Sequence, residues 1–287
     1  MLYWMIRVKL HFLMSFISLL VGFNHITSLY EFSTIEDYNK SESLSLLSYN
    51  VHHFYGPAGV STKDFSTTIQ DFVLNEAPNF LCVQDFYNVP SFNVAKILPY
   101  KYIESKHIES KNSLAIYSSY PIIAKKSLNF SDTGNNAIFA DVNLGADTLR
   151  IFNVHFQSLR VNPSLKEIQE SDKQKLASRL SSSFKKQIQQ LELVEKHILE
   201  SPYPVIISGD FNNTAFSYLY RSLLSHGLVD AFSEKGKGFG KTFDFDIIPI
   251  RIDFTLFPKE KVQVLEFVTY DVEYSDHYPI MSYFTLK

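Results

Sequence analysis

The sequence predicts one α/β domain in which β-sheets pack inside flanking helices, and three features carry that prediction. Apolar segments of strand length recur from Ser43 to the C-terminus, separated by turn residues. Segments with helical spacing interrupt them, so strand–helix units alternate with hairpins in one continuous block. The composition supplies the core: 45% of the 287 residues are hydrophobic and 15% aromatic, an excess that favours strands.

Charge and special residues narrow the class. A net charge of −3, from 27 basic and 30 acidic side chains, with so apolar a chain excludes disorder. It gives no support to a protein that holds nucleic acid by bulk charge alone. One cysteine and ten glycines exclude a disulfide framework and a collagen-like chain.

The N-terminus reads differently from the rest. Arg7 and Lys9 precede Leu10–Phe23, a run without a charge, which is the pattern of a secretory signal segment or a retained membrane anchor. The run is short for a span, which needs about 20 residues. No small-residue cleavage site stands out between Asn24 and Ser28, and a buried N-terminal helix is the alternative. No cysteine follows the run, which excludes a lipoprotein anchor. Residues 1–29 are therefore expected as signal peptide or anchor, 30–42 as a linker and 43–287 as the domain. Export would leave the domain periplasmic, at the cell surface or membrane-anchored facing outward, and a monomer is expected.

Within the domain, Leu44, Leu46 and Tyr49 mark a first strand that runs to Asn50 and ends near His52–His53, before the turn Gly56–Pro57. Phe65, Ile69, Phe72 and Val73 have helical spacing within Asp64–Asn75, which Pro78 stops. Phe80–Gln84 is a buried strand, with Cys82 in its core. Ser113–Ser118, Ile122–Phe130, Ala137–Leu144 and Leu149–Val154 are further strands. Turn residues at Tyr120–Pro121, Gly134–Asn135 and Gly145–Ala146 join them as adjacent antiparallel pairs. The longest helix is predicted over Asp172–Glu200. Leu176, Leu180, Phe184, Ile188, Leu191, Val194 and Ile198 form its core-facing stripe, with Lys185 and Lys186 on its solvated side. Val205–Ser208 is a strand, Phe216–Ser225 a helix, and Arg251–Phe257, Val262–Val268 and Ile280–Leu286 are strands. There is no internal repeat.

Polar residues recur where these strands end. Asn50 closes Leu-Ser-Tyr-Asn, Gln84–Asp85 closes Leu-Cys-Val-Gln-Asp, and His155 closes Ile-Phe-Asn-Val-His. Asp210 and Asn212 follow Val-Ile-Ile-Ser-Gly; Asp253 sits in Arg-Ile-Asp-Phe, and Asp276–His277 in Tyr-Ser-Asp-His-Tyr-Pro. Singly, each could be a turn residue or a cap. Together they require a cleft, because burying such groups without partners is costly. Carboxylates and amides beside two histidines suit a hard cation held by oxygen ligands.

These elements resemble the endonuclease/exonuclease/phosphatase superfamily, the DNase I-like metal-dependent phosphoesterases. Ser48-Tyr49-Asn50-Val51, Val83-Gln84-Asp85, Asn153-Val154-His155, Gly209-Asp210-Phe211-Asn212, Arg251-Ile252-Asp253 and Ser275-Asp276-His277 occur in the family's order from Ser43 to the C-terminus. The resemblance implies a four-layer sandwich, two mixed β-sheets with helices outside. It implies that Asp85, Asn50 and Asp276 hold Mg2+, or Mn2+, beside the scissile phosphate. It implies that Asp210 orients and deprotonates water, with Asn212 steadying phosphate or aspartate. It further implies that His277, fixed by Asp253, and His155 contact the phosphate or move a proton.

Two positions depart from the pattern. Asp85 replaces the family's glutamate, which leaves a catalytically weak binding protein as an alternative reading. His52 stands where the abasic-site repair branch has a carboxylate, and is read as a loop histidine, with His53 further from the cleft. Asn112 is a weaker substrate-contact candidate, and no carboxylate partner for His155 is evident from spacing. The motifs imply a phosphodiester substrate: nucleic acid first, with phospholipid (sphingomyelinase-like) or inositol phosphate as alternatives. The lysine clusters are scattered and mark no polyanion track.

Overall fold

Period-two alternation in the central strands sets the architecture. In β2 (Leu44–Asn50), Leu46 belongs to one apolar cluster while Leu47 and Tyr49 belong to another. The same division separates Phe80 and Cys82 from Leu81 and Val83 in β3 (Phe80–Phe86). It separates Ile151 from Phe152 and Val154 in β8 (Thr148–His155), and Ile206 from Val205 and Ile207 in β9 (Val205–Asp210). Each strand is buried on both faces, so two sheets share one core and each carries a second core beneath helices.

The computed structural model describes residues 3, 6–7, 11–27, 29–32, 38–55, 61–105, 113–161 and 164–287. Asn112 and the Gly56–Pro57 turn lie outside the described residues. The remaining strands are β1 (Glu31–Phe32), β4 (Tyr100–Ser105), β5 (Ser113–Ser118), β6 (Ile122–Ser127), β7 (Asn136–Asn143), β10 (Leu228–Asp230), β11 (Lys237–Gly238), β12 (Asp253–Pro258), β13 (Val262–Thr269) and β14 (Ile280–Leu286). One sheet has the order β10-β12-β9-β8-β7-β6 and the other β13-β14-β2-β3-β5-β4; β1 pairs only with β11. Each large sheet is mixed, with a single parallel pair near its centre, β8–β9 and β2–β3. Helices α1 (His11–Thr27), α2 (Thr62–Glu76), α3 (Leu165–Glu170), α4 (Lys173–Leu199), α5 (Tyr218–Ser225) and α6 (Ala231–Lys235), with short 3-10 turns at Lys40–Glu42 and His52–Phe54, complete the described elements. Helix α2 connects the parallel strands β2 and β3, and packs Phe65, Ile69 and Val73 against the outer side of their sheet. Helices α4 and α5 bury Leu191, Val194, Leu219 and Leu223 on the other outer side. The four-layer sandwich expected from the sequence is therefore observed.

Two expectations change, and two observations bear on the N-terminal segments. Strands β5 and β6 do not pair: β5 is fully buried between β3 and β4, whereas β6 is an edge strand of the opposite sheet with Lys125 and Lys126 exposed. The core-facing stripe of α4 is not purely apolar. Gln187 and Gln190 are buried and bond the loop after β8, which turns Phe184 and Ile188 to the surface. Parts of the expected linker contact the domain, through β1–β11 pairing and a hydrogen bond from the Tyr38 hydroxyl to Glu266 (2.6 Å). Helix α1 has 17 residues, and no described helix is long and apolar enough to cross a membrane.

Candidate active site

The inner side of each central strand changes character along its length. Leu46–Ser48–Asn50, Phe80–Cys82–Gln84, Ile151–Asn153–His155, Ile206–Ser208–Asp210 and, running the other way, Phe257–Thr255–Asp253 all pass from the shared core towards polar side chains. The middle tier is internally bonded. Asn153 donates its amide to the carbonyls of Val83 and Ala115 (2.8 Å each) and accepts from Gln84 Nε2 (2.7 Å), tying the sheets together. Ser208 and Thr255 share a 2.8 Å hydroxyl bond. The last tier opens into a cleft of about 360 Å³ lined by Asn50, His52, Asp85, His155, Asp210 and His277, among others.

Asp210 is the centre of the cleft. Strand pairing sets it beside His155 on one side and Asp253 on the other. Gly209 makes this placement possible: its φ is +139°, and a Cβ there would lie 2.1 Å from the Val154 carbonyl oxygen. Asp210 Oδ1 accepts from the Asn212 backbone N–H (2.7 Å), and Oδ2 accepts from the amides of Asn50 (3.0 Å) and Asn212 (3.1 Å). Its carboxyl is raised to about 6 by burial and then by Asp253, against the pull of His277 and His155.

Two imidazoles flank it. His277 donates from Nδ1 to Asp253 (2.9 Å) and holds Nε2 3.8 Å from Asp210. Burial opposes its charge, but Asp253 and Asp210 prevail and lift it to about 10. His155 lies with Nε2 3.4 Å from Asp210 and Nδ1 3.4 Å from Asp85. Burial again opposes, and Asp85 followed by Asp210 raises it to about 9. The neighbouring carboxylates thus favour the charged form of both rings.

The carboxylate partner of His155 is thus Asp85. A register shift in the β3–β5 pair and a left-handed Asp85 (φ 43°) turn this side chain into the cleft. Burial would raise its carboxyl, but His155 holds it well below the ordinary carboxylate range. Asp85 Oδ1 is buried, and its charge is met by the 3.4 Å ion pair with His155 Nδ1. The Asp85 carboxylate could hold a divalent cation, with Asp276 and Asn50 also lining the cleft. Asp210, Asp253 and His277 also bring donor atoms within 4.8 Å of one another. Those three are already bonded to neighbours or to each other.

The turn after β2 corrects the reading of His52. The strand ends at Asn50, and His52, His53 and Phe54 all have positive φ (43°, 56° and 58°). That turn brings both histidines to the cleft and sets His52 Nδ1 3.5 Å from Asp276 Oδ1. The His52 backbone N–H donates to Asn50 Oδ1 (3.1 Å), so Asn50 links this turn to Asp210. Asn135, Gln157, Ser158, Arg160 and Phe243 also line the cleft and were not singled out in the sequence. They sit on loops or beside them, where no periodicity marks them. The placement of Gln157 relies on α4: Gln190 Oε1 accepts from the Gln157 N–H and Gln187 donates to its carbonyl, both at 2.8 Å.

Two facing mixed sheets flanked by helices match the fold of DNase I-like proteins. The chain belongs to the Endonuclease/Exonuclease/phosphatase family, whose sequence profile matches residues 47–277. The fold is similar to that of the human Nocturnin catalytic domain solved with bound sulfate anion, at 14% identity and TM-score 0.63 over 88% of this chain and 97% of that one. It is similar to a humanized D. rerio TDP2, at 16% identity and TM-score 0.62 over 85% and 99%. A Bacteroides vulgatus endonuclease/exonuclease/phosphatase gives 18% identity and TM-score 0.63 over 85% and 99%. No curated protein matches the chain in sequence.

Proposed function

We propose that the protein is a divalent-metal-dependent phosphodiesterase, nuclease-like, that cleaves its substrate by direct attack of water. The observation that carries this reading is Asp210, held at both oxygens by amides and flanked by two imidazoles. With a carboxyl raised to about 6, Asp210 is ionised at neutral pH and basic enough to take a proton from water as its oxygen bonds to phosphorus. His155 and His277 present charged N–H groups to the phosphoryl oxygens. His277, whose tautomer and orientation Asp253 fixes, is also placed to protonate the leaving oxygen as its bond to phosphorus breaks. Asp85, with Asp276 and Asn50, would hold Mg2+ or Mn2+. The ion would supply Lewis-acid polarisation of the phosphoryl group and neutralise transition-state charge.

Half-exposed His52 and exposed Asp276 and Arg160 border the cleft, so a phosphate within a longer chain can reach Asp210. This favours nucleic acid, with phospholipid or inositol phosphate as the alternatives. We further propose action outside the cytoplasm, supported by Arg7 and Lys9 ahead of the uncharged run; fractionation and the intact mass of the mature protein test that address. For the activity, the full chain is offered DNA, RNA, sphingomyelin, inositol phosphates and a bis-aryl phosphodiester, with Mg2+ or Mn2+ and with chelator. Turnover that chelator abolishes is expected, and silence across the panel with both metals would refute the proposal. Turnover restored only in Asp85→Glu would instead identify a binding protein with a weakened metal side.

A further inference from the structure

We propose that an apolar cavity beside the catalytic cleft is a base-binding subsite, which takes one unstacked nucleobase next to the scissile phosphate and so selects single-stranded over duplex nucleic acid. The inference rests on the phosphodiesterase reading and deepens it by naming the substrate class.

The cavity, about 220 Å³, is lined by Phe243, Phe245, Ile250 and Ile252. Arg160, Asn212 and Phe243 line both it and the cleft, so the two spaces adjoin. An apolar cavity of about 150 Å³ accommodates a benzene ring, so this one has room for a base. Its border with the cleft is made of groups tied to the catalytic centre. Asn212 donates its amide to Asp210 at 3.1 Å, and the ring of Phe243 stands 4.9 Å from that of His277 between centroids.

The catalytic strands also fix the aromatic wall. The N–H groups of Thr242 and Phe243 donate to the Ile250 carbonyl (2.9 and 3.2 Å), and the Tyr278 N–H donates to the Thr242 carbonyl (2.8 Å). The buried Thr242 hydroxyl accepts from the N–H groups of Ile252 and Asp253 at 3.0 Å each. Hydrogen bonds to the segments that carry Asp253 and His277 thus hold Phe243 at a set distance from the reacting phosphate.

Charge points the same way. A duplex is gripped through its phosphates by lysines and arginines. The described lining of the cleft holds Arg160 and no lysine. A base stacked on an aromatic side chain needs no such track, but it must first leave the duplex stack, which a single strand allows at little cost. A hydrocarbon chain is the competing occupant, and it gains nothing particular from an aromatic wall.

The full chain with saturating Mn2+ is offered dithymidine monophosphate and two analogues, each with one base replaced by hydrogen. Removal of one of the two bases should lower kcat/KM about tenfold or more. That sensitivity should vanish in Phe243→Ala and in Ile250→Trp, which fills the cavity, and persist in Phe243→Tyr, which keeps the ring. A single-stranded oligonucleotide should be cut about tenfold or more faster than its duplex. Three results would each overturn the subsite and leave the phosphodiesterase reading standing: indifference to both bases, equal rates on duplex, or preference for a long-chain alkyl phosphodiester over dithymidine monophosphate. Saturation-transfer NMR with thymidine monophosphate and no metal reads the subsite apart from turnover. Transfer to the base protons, lost in folded Ile250→Trp, is expected even where no diester is cleaved, and its absence in the wild type would remove the subsite.

Discussion

Replacing Asn153 by alanine should cost stability out of proportion to its size and disorganise the cleft behind which it sits. Asn153 is fully buried between the sheets, and its amide reaches from β8 into the β3–β5 pair just before the register shift that turns Asp85 inward. Alanine would deprive the carbonyls of Val83 and Ala115, and Gln84 Nε2, of one partner each. A buried polar group left unpaired costs about 1–3 kcal/mol. Gln84 Nε2 keeps its 3.1 Å bond to Ser48, which places its share at the low end. The sum is about 3–5 kcal/mol, or roughly 10–15 °C in thermal midpoint for a domain of this size. Urea unfolding of wild type and Asn153→Ala measures it directly. A loss below about 1 kcal/mol would show that the inter-sheet bridge does not hold the bulge, and with it the account of how Asp85 is aimed.

The same logic gives three further expectations. Gly209→Ala should destabilise by more than about 3 kcal/mol, because its methyl group would collide with the Val154 backbone at a left-handed position; near-wild-type unfolding would contradict it. Asp230→Ala should cost about 3–5 kcal/mol, since Arg251, stacked between Phe232 and Phe254, would lose its 2.6 Å partner while buried. The double variant Asp230→Leu/Arg251→Met should be less destabilised than that, and equal loss in denaturant melts would refute the uncompensated-charge argument. Burial pushes the Cys82 thiol far above its ordinary range, so a disulfide reagent should label it only in denaturant; rapid labelling of native protein would be the opposing result.

Much of the fold could be read from alternation and spacing. Leu46 and Asn50, or Ile206 and Asp210, share a strand side by period two, so a polar strand end implied a cleft at the rim of the shared core. Alternation fails where the backbone leaves the pleat. Counting from Val83, which faces outward, Asp85 would also face outward; the left-handed turn and register shift reverse it, which hid its partnership with His155. For His52, alternation with Asn50 did point to the cleft, and the reading as a loop histidine missed the placement. In α4, apolar spacing picked Phe184 and Ile188, but hydrogen bonding to the loop after β8 gave the buried face to Gln187 and Gln190. Strand β4 escaped notice because as an edge strand it exposes Tyr100 and Lys101.

The central claim is that Asp210 and His277 handle the protons of a metal-assisted phosphodiester hydrolysis. The most direct measurement is kcat on a bis-aryl phosphodiester with saturating Mn2+, for wild type, Asp210→Asn and His277→Asn, with thermal midpoints recorded alongside. Each variant should fold and lose about 10² or more in kcat, and chelator should silence the wild type. Folded variants that retain wild-type turnover would contradict the account.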